Sequence, residues 1–124
     1  MSVIQLTTEE FKNRIFDYTK EKDWNYQGSV PVVIDFYADW CAPCRMVAKV
    51  MEELAVEYGD KVILYKVNTE VEQELAAVFQ IQSIPSILFV PKEGLPMMQL
   101  GALQKKEFKK AIDEQLLNSV PQEG

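Results

Sequence analysis

The chain has no histidine, and only two of its 124 residues are cysteine. That scarcity narrows its chemistry. A zinc site takes about four protein ligands, or three and a water, and here one chain adds only carboxylates to two thiolates. Two chains pooling thiolates around zinc or an iron–sulfur cluster would usually draw on a second Cys-x-x-Cys, which is absent. No metal is expected. Long apolar runs are missing too, and nothing approaches the roughly 20 residues that span a bilayer. The opening Met1-Ser2-Val3-Ile4-Gln5-Leu6 has neither a basic n-region nor a long apolar one, so no secretion signal is read there. Positive charge is in deficit, with 13 Lys and Arg against 19 Asp and Glu and a net charge of −6. An acidic chain without a basic stretch argues against a nucleic-acid surface, and the charge reads as serving solubility. Repeats and low-complexity segments are also lacking. The expected partners therefore include no nucleic acid and no membrane.

What is present centres on Trp40-Cys41-Ala42-Pro43-Cys44. Residues three apart on a helix share a face, so the two sulfurs can meet. Val32 to Tyr37 is a short apolar run that reads as a buried strand. Met46, Val47, Val50, Met51, Leu54 and Tyr58 then recur at helical spacing, which places Cys41 at or just before a helix N-terminus. Free backbone N–H groups and the positive end of the helix dipole stabilise an anion there. A thiolate is such an anion, and it is the form of cysteine that attacks disulfides. A purely structural bridge is the competing reading. It would close a very short loop and so restrict the unfolded chain little. The motif in its strand–helix context reads as a dithiol redox centre, and a reversible pair fits a cytoplasmic address.

Along the chain the pattern alternates. Val3 to Leu6 is a strand candidate. Thr7-x-x-Glu10 is a capping-box signature, followed by a helical stripe of Phe11, Ile15 and Tyr18. Lys20 to Ser29 is a polar connection whose Trp24 and Tyr26 are expected to pack over a sheet edge rather than form a contact surface. The long helix after Cys41 should stop at Gly59, a good residue just past a helix end. Val62 to Val67 reads as a strand, Val71 to Phe79 as a short helix, and Ile87–Val90 with Met97–Leu100 as a hairpin. Phe108, Ala111, Ile112 and Leu116 make a last amphipathic helix, and the residues from 118 to 124 read as a flexible tail. A chain of 124 residues fits one domain, with a core over about 3–117. The order βαβαβαββα implies one mixed sheet with helices on both faces.

The segments Asp35-Phe36-Tyr37-Ala38-Asp39-Trp40-Cys41-Ala42-Pro43-Cys44, Ser83-Ile84-Pro85-Ser86 and Leu100-Gly101-Ala102-Leu103 resemble those of the thioredoxin family, in family order and spacing. The resemblance covers about Val3 to Leu117. It implies an α/β thioredoxin fold, a five-stranded mixed sheet flanked by four helices. It implies a protein-disulfide reductase acting through a reversible Cys41–Cys44 dithiol/disulfide, with no bound cofactor, a monomer reduced in turn by a thioredoxin reductase. Disulfide-containing proteins would be its substrates. Two other readings are a thiol oxidase or isomerase outside the cytosol, and a binding module on the same fold without redox turnover.

Within that frame Cys41, nearest the free N–H groups, is the expected attacker, and Cys44 the resolving thiol. Pro43 suits the first helical turn, where its missing donor is not needed. Ala42 stands where such proteins most often carry glycine. Trp40, at a loop beside Cys41, is expected to face substrate. Asp35 lies on a strand apolar on both sides, so its carboxylate should be buried and its pKa raised, with Lys66 opposing the shift from the next strand. The alternative is a structural ion pair between the two. The resemblance makes Asp35 the base for Cys44. It also implies a cis Ile84–Pro85 bond whose backbone pairs with substrate, in a groove completed by Gly101 and Ala102. Lys49 departs from the proline usual within the long helix, and a straighter helix is expected.

Overall fold

The computed structural model describes residues 2–118. The expected tail, from residue 119 on, lies outside the described residues. The elements are β1 (Ile4–Gln5), α1 (Thr8–Arg14), β2 (Val32–Tyr37), α2 (Ala42–Tyr58), β3 (Ile63–Asn68), α3 (Gln73–Val78), β4 (Ser86–Val90), β5 (Met97–Leu100) and α4 (Lys105–Ala111). A 3₁₀ turn, Gly59–Lys61, follows α2, and a π-helical segment, Ile112–Leu116, extends α4. The five strands form one sheet in the order β1-β3-β2-β4-β5. β1 and β2 run parallel to β3, β4 runs antiparallel to β2, and β5 antiparallel to β4. This is the mixed sheet with four helices that the alternation of periods implies.

Strand parity divides the core into two layers. Val32, Ile34 and Phe36 of β2 pack with Leu6, Phe11, Ile15, Tyr65, Val67, Leu75 and Leu88, on the face that carries α1 and α3. Val33 points the other way and packs with Val47, Met51 and Leu54 of α2, Ile87 and Phe89 of β4, and Phe108 of α4. Successive side chains of a strand alternate faces, so Asp35 lies on the α2 and α4 side with Val33 and Tyr37. Of the three, Val33 joins the main core, and Tyr37 packs against a small cluster of Ala38, Cys41 and Cys44. Asp35 thus sits between the core under α2 and the cysteines at its tip.

Local signals set several boundaries. Thr7 caps α1, its hydroxyl accepting from the Glu10 N–H at 3.1 Å while its own N–H donates to Glu10 Oε1 at 3.2 Å. α1 nevertheless ends at Arg14, so Tyr18 lies beyond the helix of its expected stripe. Its ring still meets Phe11 at 6.2 Å. The ten-residue connection tucks Trp24 against Phe16, ring centroids 5.0 Å apart, and the Tyr26 hydroxyl donates to the Val30 carbonyl at 2.5 Å. Both aromatics are half-buried and pack against the α1 and α3 layer. α2 ends at Gly59, whose φ of +56° is a conformation that favours glycine.

Two readings of helix faces need correction. Met46 is not part of the buried stripe of α2 but is 68% exposed. The buried line is Val47, Met51, Leu54 and Tyr58, and Met46 lies about 100° around the helix from Val47 at 3.6 residues per turn. The last helix is not uniform: α4 gives way at Ile112 to a π-helical segment, in which the Leu117 N–H donates to the Ile112 carbonyl at 2.9 Å. Buried Phe108, Ile112 and Leu116 recur every fourth residue, a pattern that drifts around a helix of 3.6 residues per turn. The wider turn counters that drift and keeps Leu116 over the core.

Candidate active site

Cys41 is the N-cap of α2 and Cys44 lies in its first turn. Ala42 and Pro43 between them are exposed, with proline where the helix start leaves the backbone N–H without an intrahelical acceptor. The two cysteines are joined as a disulfide, Cα to Cα 5.3 Å. The Cys44 N–H donates to Cys41 Sγ at 3.3 Å. An N-cap oxygen ordinarily takes that bond; here a sulfur takes it, in the position where a thiolate would gain from the same donor and from the helix dipole. Both residues are nearly buried, Cys41 at 4% and Cys44 at 3% exposure.

Across from the helix tip the Ile84–Pro85 bond is cis. The Ile84 carbonyl oxygen lies 3.9 Å from Cys41 Sγ, and the Ile84 side chain packs against the cysteine cluster. The Pro85 carbonyl accepts the Gly101 N–H at 2.9 Å. Gly101 has φ of +93°, a turn off β5 that leaves Gly101 and Ala102 exposed beside Pro85. The structure therefore brings Cys41, Cys44, Ile84, Pro85 and Gly101 to one end of the sheet, with Ala102 following at the rim.

Asp35 is 2% exposed, and its Oδ1 is buried with no hydrogen-bond partner among the described residues. Burial pushes its carboxyl up to about 7, and the charge of Lys66 opposes part of that rise. Lys66 is its register partner on β3, but no ion pair within 4.0 Å joins them among the described residues. The reading of Asp35 and Lys66 as a closed structural ion pair is therefore not what the fold contains. A carboxyl near 7 exchanges a proton readily around neutral pH.

Trp40 is 66% exposed, yet its indole N–H donates to Glu70 Oε2 at 2.8 Å. Sequence reading missed Glu70, because it lies thirty residues away in the loop after β3 and carries no motif. Three further large apolar side chains are exposed by about two-thirds next to site residues in sequence or register: Met46 two residues after Cys44, Val71 beside Glu70, and Leu100 before Gly101. The Arg45 guanidinium turns back to the Asp39 carbonyl at 3.3 Å.

Comparison with known proteins agrees with this geometry. The sequence model of the thioredoxin family matches residues 2–114. A thioredoxin of Borreliella burgdorferi is 40% identical over 111 residues, covering 90% of this chain and 95% of that protein. Thioredoxin 1 of a Nostoc species is 34% identical over 112 residues, again 90% and 95%. A crystal structure of chloroplastic thioredoxin z superposes with a TM-score of 0.77 over 92% of this chain and 94% of that one, at 22% identity, a likeness of fold. The chain belongs to the thioredoxin family, and its Cys41–Cys44 pair is the redox-active disulfide of a disulfide oxidoreductase.

Proposed function

We propose that this chain is a cytoplasmic, monomeric electron carrier that reduces protein disulfides in general redox homeostasis, as one domain over residues 1–124 with its core at about 3–117. Three observations support the chemistry. The attacking position is the N-cap of a 17-residue helix with a backbone N–H already on its sulfur, a buried carboxyl near neutral pKa shares the sheet face under that helix, and the Trp40 side chain beside Cys41 is exposed. The first of these carries the reading.

In the forward step the Cys41 thiolate attacks one sulfur of a substrate disulfide. A mixed disulfide forms, and the other substrate sulfur leaves as a thiolate. Asp35 takes the proton of Cys44. The Cys44 thiolate then attacks Cys41 Sγ, the Cys41–Cys44 bond forms, and the second substrate sulfur leaves. The substrate gains two electrons and, with protons from solvent and from Asp35, becomes a dithiol. A thioredoxin reductase returns two electrons to the pair. Trp40, Ala42, Pro43, Ile84, Pro85, Gly101 and Ala102 are assigned to holding the substrate segment, and Lys66 to tuning Asp35.

The test is a pair of variants. Cys41→Ser abolishes reduction of insulin disulfides, and Cys44→Ser accumulates a mixed disulfide through Cys41, both read by mass spectrometry of quenched reactions. Retained reduction by Cys41→Ser, or trapping through Cys44 in place of Cys41, would overturn the assignment.

A further inference from the structure

The Trp40 side of the rim carries a charge that the chemistry above does not use. Glu70 holds the indole N–H through Oε2 and is itself fixed at the backbone. Its N–H donates to Asn68 Oδ1 at 3.0 Å, and its carbonyl accepts from Gln73 Nε2 at 3.0 Å. The carboxylate is therefore held at the edge of the ring that precedes the attacking cysteine. Glu72 and Glu74, further along the chain, are engaged elsewhere: Glu72 accepts from the Thr8 N–H and hydroxyl, and Glu74 pairs with Lys12 and accepts from Tyr18. Asp39, just before Trp40, is exposed as well, but among the described residues only its backbone carbonyl is bonded, so its carboxylate is not fixed at the ring as that of Glu70 is. No ion pair among the described residues includes Glu70. Arg45, in the first turns of α2, is bonded to the Asp39 carbonyl instead. Glu70 is exposed, and so is Val71 beside it. A substrate segment lying over Trp40 meets an aromatic face, an aliphatic side chain and a negative charge fixed at the edge of the ring.

We propose that Glu70 makes this rim selective for protein disulfides flanked by lysine or arginine, an inference that rests on the disulfide-reductase reading above. The fixed position matters. A mobile surface carboxylate loses side-chain entropy on pairing with a substrate cation, which cancels much of the gain. Glu70 is already held by the indole and by its own backbone, so that loss is small. Opposite unit charges about 4 Å apart in water favour association by roughly fivefold, and salt screens the effect within about 10 Å at 0.1 M.

The experiment uses the reduced chain and three short synthetic peptide disulfides, identical except for a lysine, glutamine or glutamate beside each cysteine. Single-turnover rates are followed by chromatography of the released thiol. The wild-type chain reduces the lysine peptide about fivefold faster than the glutamine peptide at low salt, with the glutamate peptide slower still, and the lysine-to-glutamine ratio falls as salt rises. Glu70→Gln lowers that ratio at least twofold, and Glu70→Lys inverts it. Glu93→Gln, in the turn at the far end of β4, removes the same charge and leaves the ratio as in wild type. A ratio unchanged by Glu70→Gln, or lowered equally by Glu93→Gln, overturns the proposal. Failure of the wild-type chain to reduce even the glutamine peptide would overturn the reductase reading instead.

Discussion

Asp35 is a carboxylic acid enclosed by hydrocarbon, with Val33 beside it on β2 and Ile87 opposite it on β4. Its burial has a thermodynamic consequence. The folded pKa, about 7, lies above the ordinary 3.8, so between those values the folded chain holds a proton that the unfolded chain has lost. Stability therefore falls as pH rises through this window and levels off above it. Full ionisation of Asp35 costs on the order of 4 kcal/mol by that shift. Asp35→Asn abolishes the term. Urea unfolding at pH 4 and pH 8 should show the variant gaining on wild type by a few kcal/mol between the two. A parallel pH response of the two proteins would mean that the Asp35 charge is well compensated in the fold. At this scale the sequence was readable where chemistry is local. Asp35 stood out as the one charge in an apolar run, and the cysteine spacing spoke for itself. Glu70 had no such mark, because its role comes from a contact across thirty residues.

α2 is capped by Cys41 and carries Cys44, and its interior carries a departure from the family pattern at Lys49. The helix is unbroken from Ala42 to Tyr58, and Lys49 is exposed on it. Proline at that position removes a backbone donor and presses its ring on the preceding turn, which costs up to about 3 kcal/mol in a helix interior. Lys49→Pro should therefore lower the urea midpoint and bend α2, with the bend visible in a crystal structure of the variant. An unchanged midpoint would show that packing against the sheet already accommodates a kink. Elements with strong ends were legible: the Thr7 capping box and Gly59 each mark a boundary that the fold observes. The helical spacing of Phe11, Ile15 and Tyr18 overruns α1, because Tyr18 reaches Phe11 from a chain that has already left the helix. Side-chain proximity does not require helical backbone. The π-helical segment after Ala111 was illegible for a related reason. It follows from where the core lies beneath Leu116, and no residue type announces it.

The whole molecule is one sheet with an apolar layer on each face, and β2 and β4 contribute side chains to both. The two layers therefore share a backbone and should be lost together. Phe108 is fully buried in the α2 and α4 layer, its ring 6.1 Å from Phe89. Phe108→Ala should destabilise the chain by about 3–5 kcal/mol. Tryptophan fluorescence, which includes Trp24 on the opposite layer, and far-ultraviolet circular dichroism should report the same lowered urea midpoint. Separate midpoints would show that the two layers unfold independently. On this scale the sequence by itself determined the order of strands and helices, the two-sided burial of β2, and the cysteine pair at a helix start. Those features are written in periodicity and in residue chemistry that acts over a few neighbours. Only the tertiary structure decided that the cis Ile84–Pro85 segment lies against Cys41, that Asp35 faces Lys66 without pairing, and that Glu70 holds Trp40. Each of those depends on strands and loops brought together across the sheet, where distance in the chain carries no information about distance in space.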